Sequence, residues 1–317
     1  MRSLVTGGAG FIGSHLADHL LGEGDHVIAL DDLSTGTVDN LSHLEKRPDL
    51  ELVRGSILNA DLVDDVVSRS DRVFHLAAAV GVNRIIERPL ESLRTNILGS
   101  EIVLEKAHKY GRPILVTSTS EIYGKNGSDR LGEEDDRILG SPLKSRWSYS
   151  EAKAIEEILA YTYWREKGLP TVIVRLFNTV GRRQTGTYGM VVPRFVRQAV
   201  GGEPLTVYGD GLQTRCFCSV ADVVPALVRL MGEEPARGRV FNIGGTEEIS
   251  IVDLARRVIE LTGSVSKIRY VPYDEAYEDG FEDMARRVPD ITRVSDLIGF
   301  APTRSLDDII LDVAAGL

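Results

Sequence analysis

The chain has 317 residues, of which 43% are hydrophobic and 26% charged, and its formal net charge is −10 at pH 7. This length accommodates about two domains with a sizeable core, and the composition is that of an ordinary soluble protein. The acidic balance argues against nucleic acid or a membrane surface as partner of the whole chain, while leaving room for a local basic pocket. No apolar run reaches the length of a membrane span, and the N-terminal MRSLVTGG enters a strand at once. We therefore predict a cytoplasmic protein without a signal peptide.

The first half of the chain alternates short β-branched runs with helical patterns. RSLVT is followed by the helical FIGSHLADHLLGEG, and HVIALDD, LELVRG, RVFHLAA, PILVTSTS and PTVIVRLFN continue the series of strands. This alternation predicts an α/β fold with a doubly wound parallel sheet, a Rossmann fold. Beyond Asn178 the rhythm is less regular, which predicts a smaller α/β substrate-binding domain. The expected domains are residues 1–177 and residues 178–317, with some segments of the second returning to the first.

A glycine-rich segment, TGGAGFIG at residues 6–13, connects the first predicted strand to the first predicted helix. It satisfies both the G-x-x-G-x-x-G and the G-x-G-x-x-G spacing. Glycines permit the tight turn there and let a pyrophosphate approach the N–H groups at the helix N-terminus. Asp31 ends the second predicted strand, where a carboxylate accepts hydrogen bonds from the adenosine ribose. Because Asp32 beside it would repel a 2′-phosphate, these residues favour NAD over NADP.

Tyr149 and Lys153 in WSYSEAK lie four residues apart at the start of an amphipathic helix, and hence on one face. A free tyrosine has a pKa of about 10 and is a poor base at neutral pH. A lysine ammonium one turn away, together with a positively charged nicotinamide, would stabilise the phenolate. Thr119 lies at the polar end of the strand PILVTSTS, where it can orient the proton of a substrate hydroxyl. The pattern therefore predicts a tyrosine base with a lysine partner.

Three histidines and two cysteines have weaker patterns. His15 and His19 have the spacing of a zinc pair, but they lack the glutamate of H-E-x-x-H and a nearby third ligand, so we predict no metal site. His75 ends a strand and is interpreted as hydrogen-bonded structure. Cys216 and Cys218 are poorly placed on one strand for a disulfide and are interpreted as reduced, structural thiols.

Eight motifs succeed one another almost from end to end of the chain: TGGAGFIG, DDLSTG, HLAA, STSEIYG, YSEAK, RLFNTVG, GEPLTVYGDGLQTRCF and FNIGG. Together they resemble the extended short-chain dehydrogenase/reductase family, the NAD-dependent nucleotide-sugar epimerases, dehydratases and decarboxylases. The resemblance implies NAD as cofactor and a nucleotide-diphosphate sugar as substrate, and we also expect a homodimer. A non-catalytic NAD-sensing regulator on this fold would tend to lose the tyrosine or the lysine. The presence of both, with Thr119, argues for an enzyme.

The resemblance also implies roles for individual positions. The catalytic positions are Thr119, Glu121, Tyr149 and Lys153. The cofactor-binding positions are Gly7, Gly10, Phe11, Ile12, Gly13, Asp31, Asp32, Ser34, Thr35, Gly36, Ser56, Ile57, Leu76, Ala77, Ala78, Asn96, Tyr149 and Lys153. The substrate-binding positions are Thr119, Ser120, Glu121, Asn178, Arg183, Val192, Tyr208, Arg215 and Arg287; the arginine fork suits phosphate or carboxylate.

Two positions depart from the family pattern. Ser56 stands where the family usually has an aspartate that touches adenine, which puts that contact in doubt. Arg182 replaces the proline expected before Arg183, which places a second cation either near the sugar or on the surface.

Glu121, in STSEIYG, bears on which reaction the protein performs. Enzymes of this family oxidise the sugar C4 hydroxyl to a ketone and differ in the fate of that ketone. The 4,6-dehydratase motif resembles T-D-E, so Ser120 disfavours dehydration, whereas the motif of the UDP-glucuronate decarboxylases (UDP-xylose synthase type) resembles T-S-E, as here. Against decarboxylation, QTGTYGMVVPRF is similar to bacterial 4-epimerases, and YSEAK lacks the Y-D-E-G-K of the commoner decarboxylases. We rank 4-epimerase first and decarboxylase a close second; in an epimerase, Glu121 would bond a substrate hydroxyl or fix Arg215.

Overall fold

A seven-stranded parallel sheet forms the centre of the molecule. The structure is a computed structural model that describes residues 1–79, 89–144, 147–186, 190–272, 275, 284 and 286–317. The strands of this sheet are β1 (Arg2–Thr6), β2 (His26–Asp31), β3 (Leu50–Arg54), β4 (Arg72–His75), β5 (Ile114–Thr119), β6 (Thr171–Leu176) and β11 (Arg239–Ile243). Their spatial order is β11-β6-β5-β4-β1-β2-β3, all parallel. The predicted doubly wound α/β fold is confirmed.

Six further short strands form three two-stranded pairs. They are β7 (Thr179–Val180), β8 (Leu205–Tyr208), β9 (Thr214–Cys216), β10 (Cys218–Ser219), β12 (Glu248–Ser250) and β13 (Ile268–Val271). The pairs β7–β10 and β8–β13 are parallel, and β9–β12 is antiparallel. In the described part of the chain after residue 178, the strands therefore form two-stranded pairs, except for β11, which joins the large sheet.

Helices cover both faces of the large sheet. They are α1 (Phe11–Gly22), α2 (Ala60–Ser68), α3 (Pro89–Arg94), α4 (Ser100–Lys109), α5 (Ser148–Lys167), α6 (Val191–Val200), α7 (Val220–Gly232), α8 (Ile251–Leu261), α9 (Thr292–Ile298) and α10 (Leu306–Ala314). A π-helical turn, Thr95–Gly99, precedes α4, and 3₁₀ turns occur at Val38–Leu44, Ser120–Tyr123 and Glu234–Ala236. Among the described residues, no helix is both long and apolar enough to cross a membrane.

Clusters of buried apolar side chains hold these layers together. Side chains of α1 and α7, such as Leu16 and Leu227, pack on one face of the large sheet, and side chains of α2 and α4, such as Val66 and Leu104, pack on the other. A third core lies between α6, α8 and α10, which surround β8. Strands buried on both faces favour apolar residues, and β1 and β5 supply them at Leu4 and Val5 and at residues 114–116, with small buried Ser and Thr residues beside them.

The register of the parallel strands brings their carboxyl ends to one edge. Thr6 pairs with Leu30 and with His75, and Thr119 pairs with Leu176. This edge is where ligands bind in open α/β sheets.

Candidate active site

A cavity of about 720 Å³ opens at the carboxyl edge of the large sheet. It extends from the glycine-rich turn after β1, past the ends of β2, β4 and β5, to residues of β8, β9 and α6. All the predicted cofactor, catalytic and substrate positions line it except Gly36 and Asn96. Sequence reasoning missed several polar lining residues, among them Asn40, Glu91, Thr95, Arg194 and Gln213. Asn40 closely follows DDLSTG, Arg194 and Gln213 lie within PRF and QTR, and Thr95 precedes Asn96, whereas no motif pointed to Glu91.

The glycine-rich turn is packed too closely for side chains. Gly7 has a φ of +71°, and a Cβ on Gly13 would lie 2.0 Å from the carbonyl oxygen of Gly7. Gly10 is the N-cap of α1 and no side chain caps the helix. The N–H groups of the first helical turn are thus available to an anion.

Two aspartates shape the turn after β2. Asp31 accepts hydrogen bonds from the N–H groups of Ala9, at 3.0 Å, and of Leu33, at 2.8 Å, while Asp32 accepts from the N–H of Ser34 at 2.9 Å. Burial raises the pKa of the Asp31 carboxyl, and these backbone donors oppose the rise. A carboxylate has about four lone-pair positions, so Asp31 retains capacity for ribose hydroxyls after holding the loop.

Gly36 and Asn96 do not line the cavity, but they contact residues of its surroundings. A Cβ on Gly36 would lie 2.9 Å from the carbonyl of Ala9. Asn96 accepts a hydrogen bond from the N–H of Ala79 at 2.7 Å and donates one to its carbonyl at 3.2 Å. Asn96 lies in the π-helical turn, a local distortion that often marks functional sites.

Tyr149 and Lys153 lie in the first turns of α5 and line the cavity together. The Lys153 side chain is buried, and its Nζ donates hydrogen bonds to the Thr117 carbonyl and to Glu156 Oε2, both at 2.7 Å. Burial raises the pKa of the Tyr149 phenol, and the carboxylates of Glu156 and Glu121 raise it further. Tyr149 is therefore protonated in this state, and it can act as a base only when positive charge lies beside it.

Glu121 forms an ion pair with an arginine from the far end of the chain. Its Oε1 accepts a hydrogen bond from Nη1 of Arg287 at 2.6 Å, and both side chains are largely buried. Nη2 of Arg287 donates to the Asn178 side-chain oxygen at 3.3 Å. The Glu121 N–H donates to the Thr119 hydroxyl at 3.2 Å, and the Ser150 hydroxyl donates to the Glu121 carbonyl at 3.0 Å. Glu121 and Arg287 therefore connect the end of β5 to α5, through Ser150, and to the part of the cavity lined by Asn178, which we call its substrate side.

Comparison with known proteins identifies the family. A model described as the NAD dependent epimerase/dehydratase family matches residues 3–244.

The chain belongs to the NAD-dependent epimerase/dehydratase family.

Its relatives within this family include decarboxylases and epimerases. A UDP-N-acetyl-alpha-D-glucosaminuronate decarboxylase of Bacillus cytotoxicus is 42% identical over 305 residues, which are 96% of this chain and 94% of that protein. UDP-glucuronic acid decarboxylase 4 of Arabidopsis thaliana is 38% identical over 309 residues, 96% of this chain and 66% of the plant protein. The crystal structure of UDP-glucuronic acid 4-epimerase of Bacillus cereus, in complex with UDP-glucuronic acid and NAD, superposes with a TM-score of 0.89. It is 30% identical, over 100% of this chain and 98% of that one.

NAD is the cofactor of this family member, and the cavity fits it. The glycine turn leaves space for a pyrophosphate at the α1 N-terminus, and Asp31 faces the same cavity where the ribose would lie. We propose that the predicted cofactor positions that line the cavity hold NAD, with Gly36 and Asn96 shaping the walls behind them.

The fit can be tested with two alanine variants in α1. Gly13→Ala places a Cβ against the Gly7 carbonyl, so we expect NAD binding to be lost, with a lower melting temperature. Gly22→Ala, at the other end of the same helix, meets nothing within 4 Å and should bind NAD like the wild type. Fluorescence titration with NAD measures both; unchanged affinity in Gly13→Ala would contradict the assignment of this turn.

The arginines next to the substrate side differ in their partners. Arg183 lines the cavity but forms an ion pair with Asp18 of α1 at 2.8 Å. Arg182 forms an ion pair with Asp312 at 2.6 Å and is half exposed, so the second cation lies on the surface. Arg183 and Asn178 have positive φ angles of 65° and 24°, which are uncommon for residues other than glycine and are enriched at functional sites.

The histidines and cysteines have structural surroundings. The buried His75 ring is hydrogen-bonded to the hydroxyls of Thr6, at 2.7 Å, and Ser100, at 2.9 Å, and burial lowers its pKa to about 3. Cys216 and Cys218 are free and buried, and burial raises the pKa of each thiol to about 12. Within the described ranges, no group of three or more His, Cys, Asp or Glu residues could hold a metal ion.

Proposed function

We propose that this protein is an NAD-dependent decarboxylase of nucleotide-linked uronic acids, of the UDP-glucuronate class. The observation that carries the proposal is the buried ion pair of Glu121 and Arg287 beside Thr119 and Tyr149. Relatives that span nearly the whole chain and are named decarboxylases support it, and they favour decarboxylation over the epimerisation that we rank first from the sequence.

The chemistry follows from a carboxylate at sugar C6. NAD, when bound, would supply the hydride chemistry, oxidation at sugar C4 and the later reduction at the same carbon. Tyr149 Oη accepts the proton of the C4 hydroxyl, with Lys153 beside it and the Thr119 hydroxyl orienting the sugar. The ketone at C4 makes the substrate a β-keto acid, so the C5–C6 bond breaks, its electrons pass to the C4 oxygen, and carbon dioxide leaves. C5 then takes up a proton from solvent as the C4 ketone re-forms, and Tyr149 returns its proton to the C4 oxygen when that ketone is reduced.

Arg287 is the residue that we propose binds the substrate carboxylate before it leaves. A guanidinium has five N–H donors in a planar fork, so it can hold Glu121 with one edge and a substrate carboxylate with another. Glu121 fixes the guanidinium through its 2.6 Å hydrogen bond. In a largely buried site this fixed charge selects a uronic acid over a neutral hexose.

Epimerisation at C4 of the same substrate is the second candidate. It is favoured by the similarity to the Bacillus cereus epimerase, whose structure contains UDP-glucuronic acid. Both reactions need the C4 ketone and a site for the carboxylate. They differ only in whether the C5–C6 bond breaks or the ketone turns over before reduction.

The test is incubation of the NAD-bound protein with UDP-glucuronate, with UDP-N-acetylglucosaminuronate and with UDP-glucose, followed by NMR of the products and measurement of carbon dioxide. Carbon dioxide from either uronic acid, with a pentose product, is expected. Inversion at C4 without carbon dioxide would favour the epimerase instead, and turnover of UDP-glucose alone would contradict the role of Arg287.

We also propose a homodimer formed through α5. Four large apolar side chains at three-residue spacing on this helix are at least 36% exposed: Ile155, Ile158, Tyr161 and Trp164. A helix that buries one face on the sheet and exposes an apolar stripe on another is suited to pairing with a second copy of itself.

Ile158→Arg should convert the dimer into a monomer, because a charge would be buried in the centre of the apolar stripe. Val265→Arg is the matched control, since Val265 is 95% exposed outside the stripe, and it should remain dimeric. Light scattering coupled to size-exclusion chromatography measures the mass of each. A wild-type monomer, or a dimeric Ile158→Arg protein, would contradict this interface.

A further inference from the structure

A buried carboxylate lies directly behind the catalytic lysine. Glu156 follows Lys153 by three residues on α5, and the exposed fractions of the two residues are 0% and 2%. Glu156 Oε2 accepts a hydrogen bond from Lys153 Nζ at 2.7 Å. Removing two charges from water costs several kcal/mol per ion before their attraction offsets the cost. We therefore ask what this buried ion pair contributes to the reaction at the neighbouring Tyr149.

The surroundings leave Glu156 as the counter-charge of Lys153. His75 Nε2 is 3.7 Å from Glu156 Oε1, and burial, with the nearby Lys153 charge, lowers the His75 pKa to about 3, so this ring is neutral at working pH. Burial raises the pKa of Glu156, and the charge and hydrogen bond of Lys153 oppose that rise. Among the described residues, the charged and titratable side chains around Glu156, Lys153 and Tyr149 are Glu157 on α5 itself and, on neighbouring elements, His75, Glu91, Glu121, Arg175 and Arg287.

Two of these neighbours are already paired. Glu157 forms a buried bidentate ion pair with Arg175, at 2.7 and 2.9 Å, and Glu121 pairs with Arg287. Arg175 and Arg287 therefore already have carboxylate partners, and Glu156 pairs with Lys153.

The geometry determines what remains of the ammonium group for catalysis. An ammonium has three N–H donors, and Lys153 uses two of them on Thr117 and Glu156. One donor is left for the cavity, with its direction fixed by the other two. The negative charge of Glu156 also offsets part of the positive potential that Lys153 exerts at Tyr149.

We propose that Glu156 is a positioning residue of the reaction, which fixes the Lys153 ammonium and tempers its charge, and thereby sets the pH range in which Tyr149 exchanges a proton with the substrate. This inference rests on the proposed role of Tyr149 as the base, and it holds for decarboxylation and epimerisation alike.

The redox-neutral cycle gives the physical reason. Tyr149 must first accept a proton from the C4 hydroxyl and then return one to the same oxygen. An acid–base group is most efficient in both directions when its pKa lies near the working pH. An unopposed ammonium would favour the phenolate and weaken the return step, whereas the Glu156 carboxylate shifts the balance towards the phenol.

The test is Glu156→Gln, which keeps the shape and a hydrogen-bond acceptor but removes the charge. We expect the titration midpoint of Tyr149 in the NAD-bound protein to fall by about one pH unit. The midpoint is read from tyrosinate absorbance, after subtraction of the same protein carrying Tyr149→Phe. The acidic limb of the pH profile of kcat/KM should move by the same amount.

Two control variants separate this role from a structural one. Glu157→Gln removes a buried carboxylate one residue further along α5 whose partner is Arg175 rather than Lys153, and it should leave the Tyr149 midpoint unchanged. Glu156→Asp retains the charge and should restore the midpoint towards the wild-type value. If Glu156→Gln fails to fold, the same measurement is made on Glu156→Ala.

An unchanged or higher midpoint in the folded Glu156→Gln or Glu156→Ala protein would overturn the proposal, as would an equal shift in Glu157→Gln. Failure of the proposed catalytic role has a different signature: Tyr149→Phe would then keep its turnover, whatever the midpoints of the Glu156 variants.

Discussion

Tyr149→Phe is expected to reduce kcat by roughly two to four powers of ten, the usual contribution of a general acid–base group. The ring still fills the same wall of the cavity, so binding of NAD and of the nucleotide sugar should stay close to wild type. Only the ionisable hydroxyl is lost, and with it the group that takes the C4 proton. Single-turnover kinetics with UDP-glucuronate, together with equilibrium binding of both ligands, separates chemistry from binding.

Tyr163→Phe is the matched control for this variant. Tyr163 lies on the same helix, is partly buried and packs against His108, with ring centroids 5.9 Å apart, outside the cavity. Loss of the Tyr163 hydroxyl should leave kcat unchanged. A Tyr149→Phe protein with wild-type kcat would show that another group accepts the C4 proton.

Glu121→Gln is expected to reduce carbon dioxide release by at least a hundredfold, or to release a 4-keto sugar instead of the finished product. The amide keeps the shape of the side chain, but it removes the charge that holds Arg287 in a largely buried site. Removing one partner of a buried ion pair lowers the free energy of unfolding by about 3–5 kcal/mol, since the remaining charge is left uncompensated. Arg287 would then bind the substrate carboxylate as its sole counter-ion and hold it less favourably for release.

The measurement follows carbon dioxide and C4 stereochemistry in parallel on wild type and variant. Glu248→Gln is the control. Glu248 forms an ion pair with Arg286, the residue before Arg287, at the surface rather than in the cavity. If the wild type inverts C4 without releasing carbon dioxide, and Glu121→Gln loses no more than about tenfold, or one hydrogen bond's worth of energy, the protein is an epimerase. Glu121 would then be a binding residue only.

Glu121 lies in a motif that left the choice between two reactions open. The T-S-E motif indicated a decarboxylase, but its competition with epimerase-like segments left the ranking with the epimerase first. The two reactions share their C4 chemistry, so the local motifs of that chemistry cannot separate them. Relatives named decarboxylases favour the second of these readings. The contact between Glu121 and Arg287, which are 166 residues apart, is a part of the site that no local motif predicts.

The sequence by itself determined the parts of this protein that depend on local geometry. The glycine turn, the aspartate at the end of β2 and the Tyr149–Lys153 pair are readable because each function needs particular residues at a fixed short spacing. The order of strands and helices follows from hydrophobic periodicity, and the family resemblance from the order of the motifs.

Only the tertiary structure decided which distant groups meet and which charges lose their water. It paired Arg287 with Glu121, turned Arg183 towards Asp18, and placed Asn96 behind the cavity wall. Glu156 reads in the sequence as one of two adjacent acidic residues on a helix, and such residues are usually solvated. Burial converts it into the counter-charge of Lys153, because the strength of a charge depends on the dielectric around it, which no local pattern encodes.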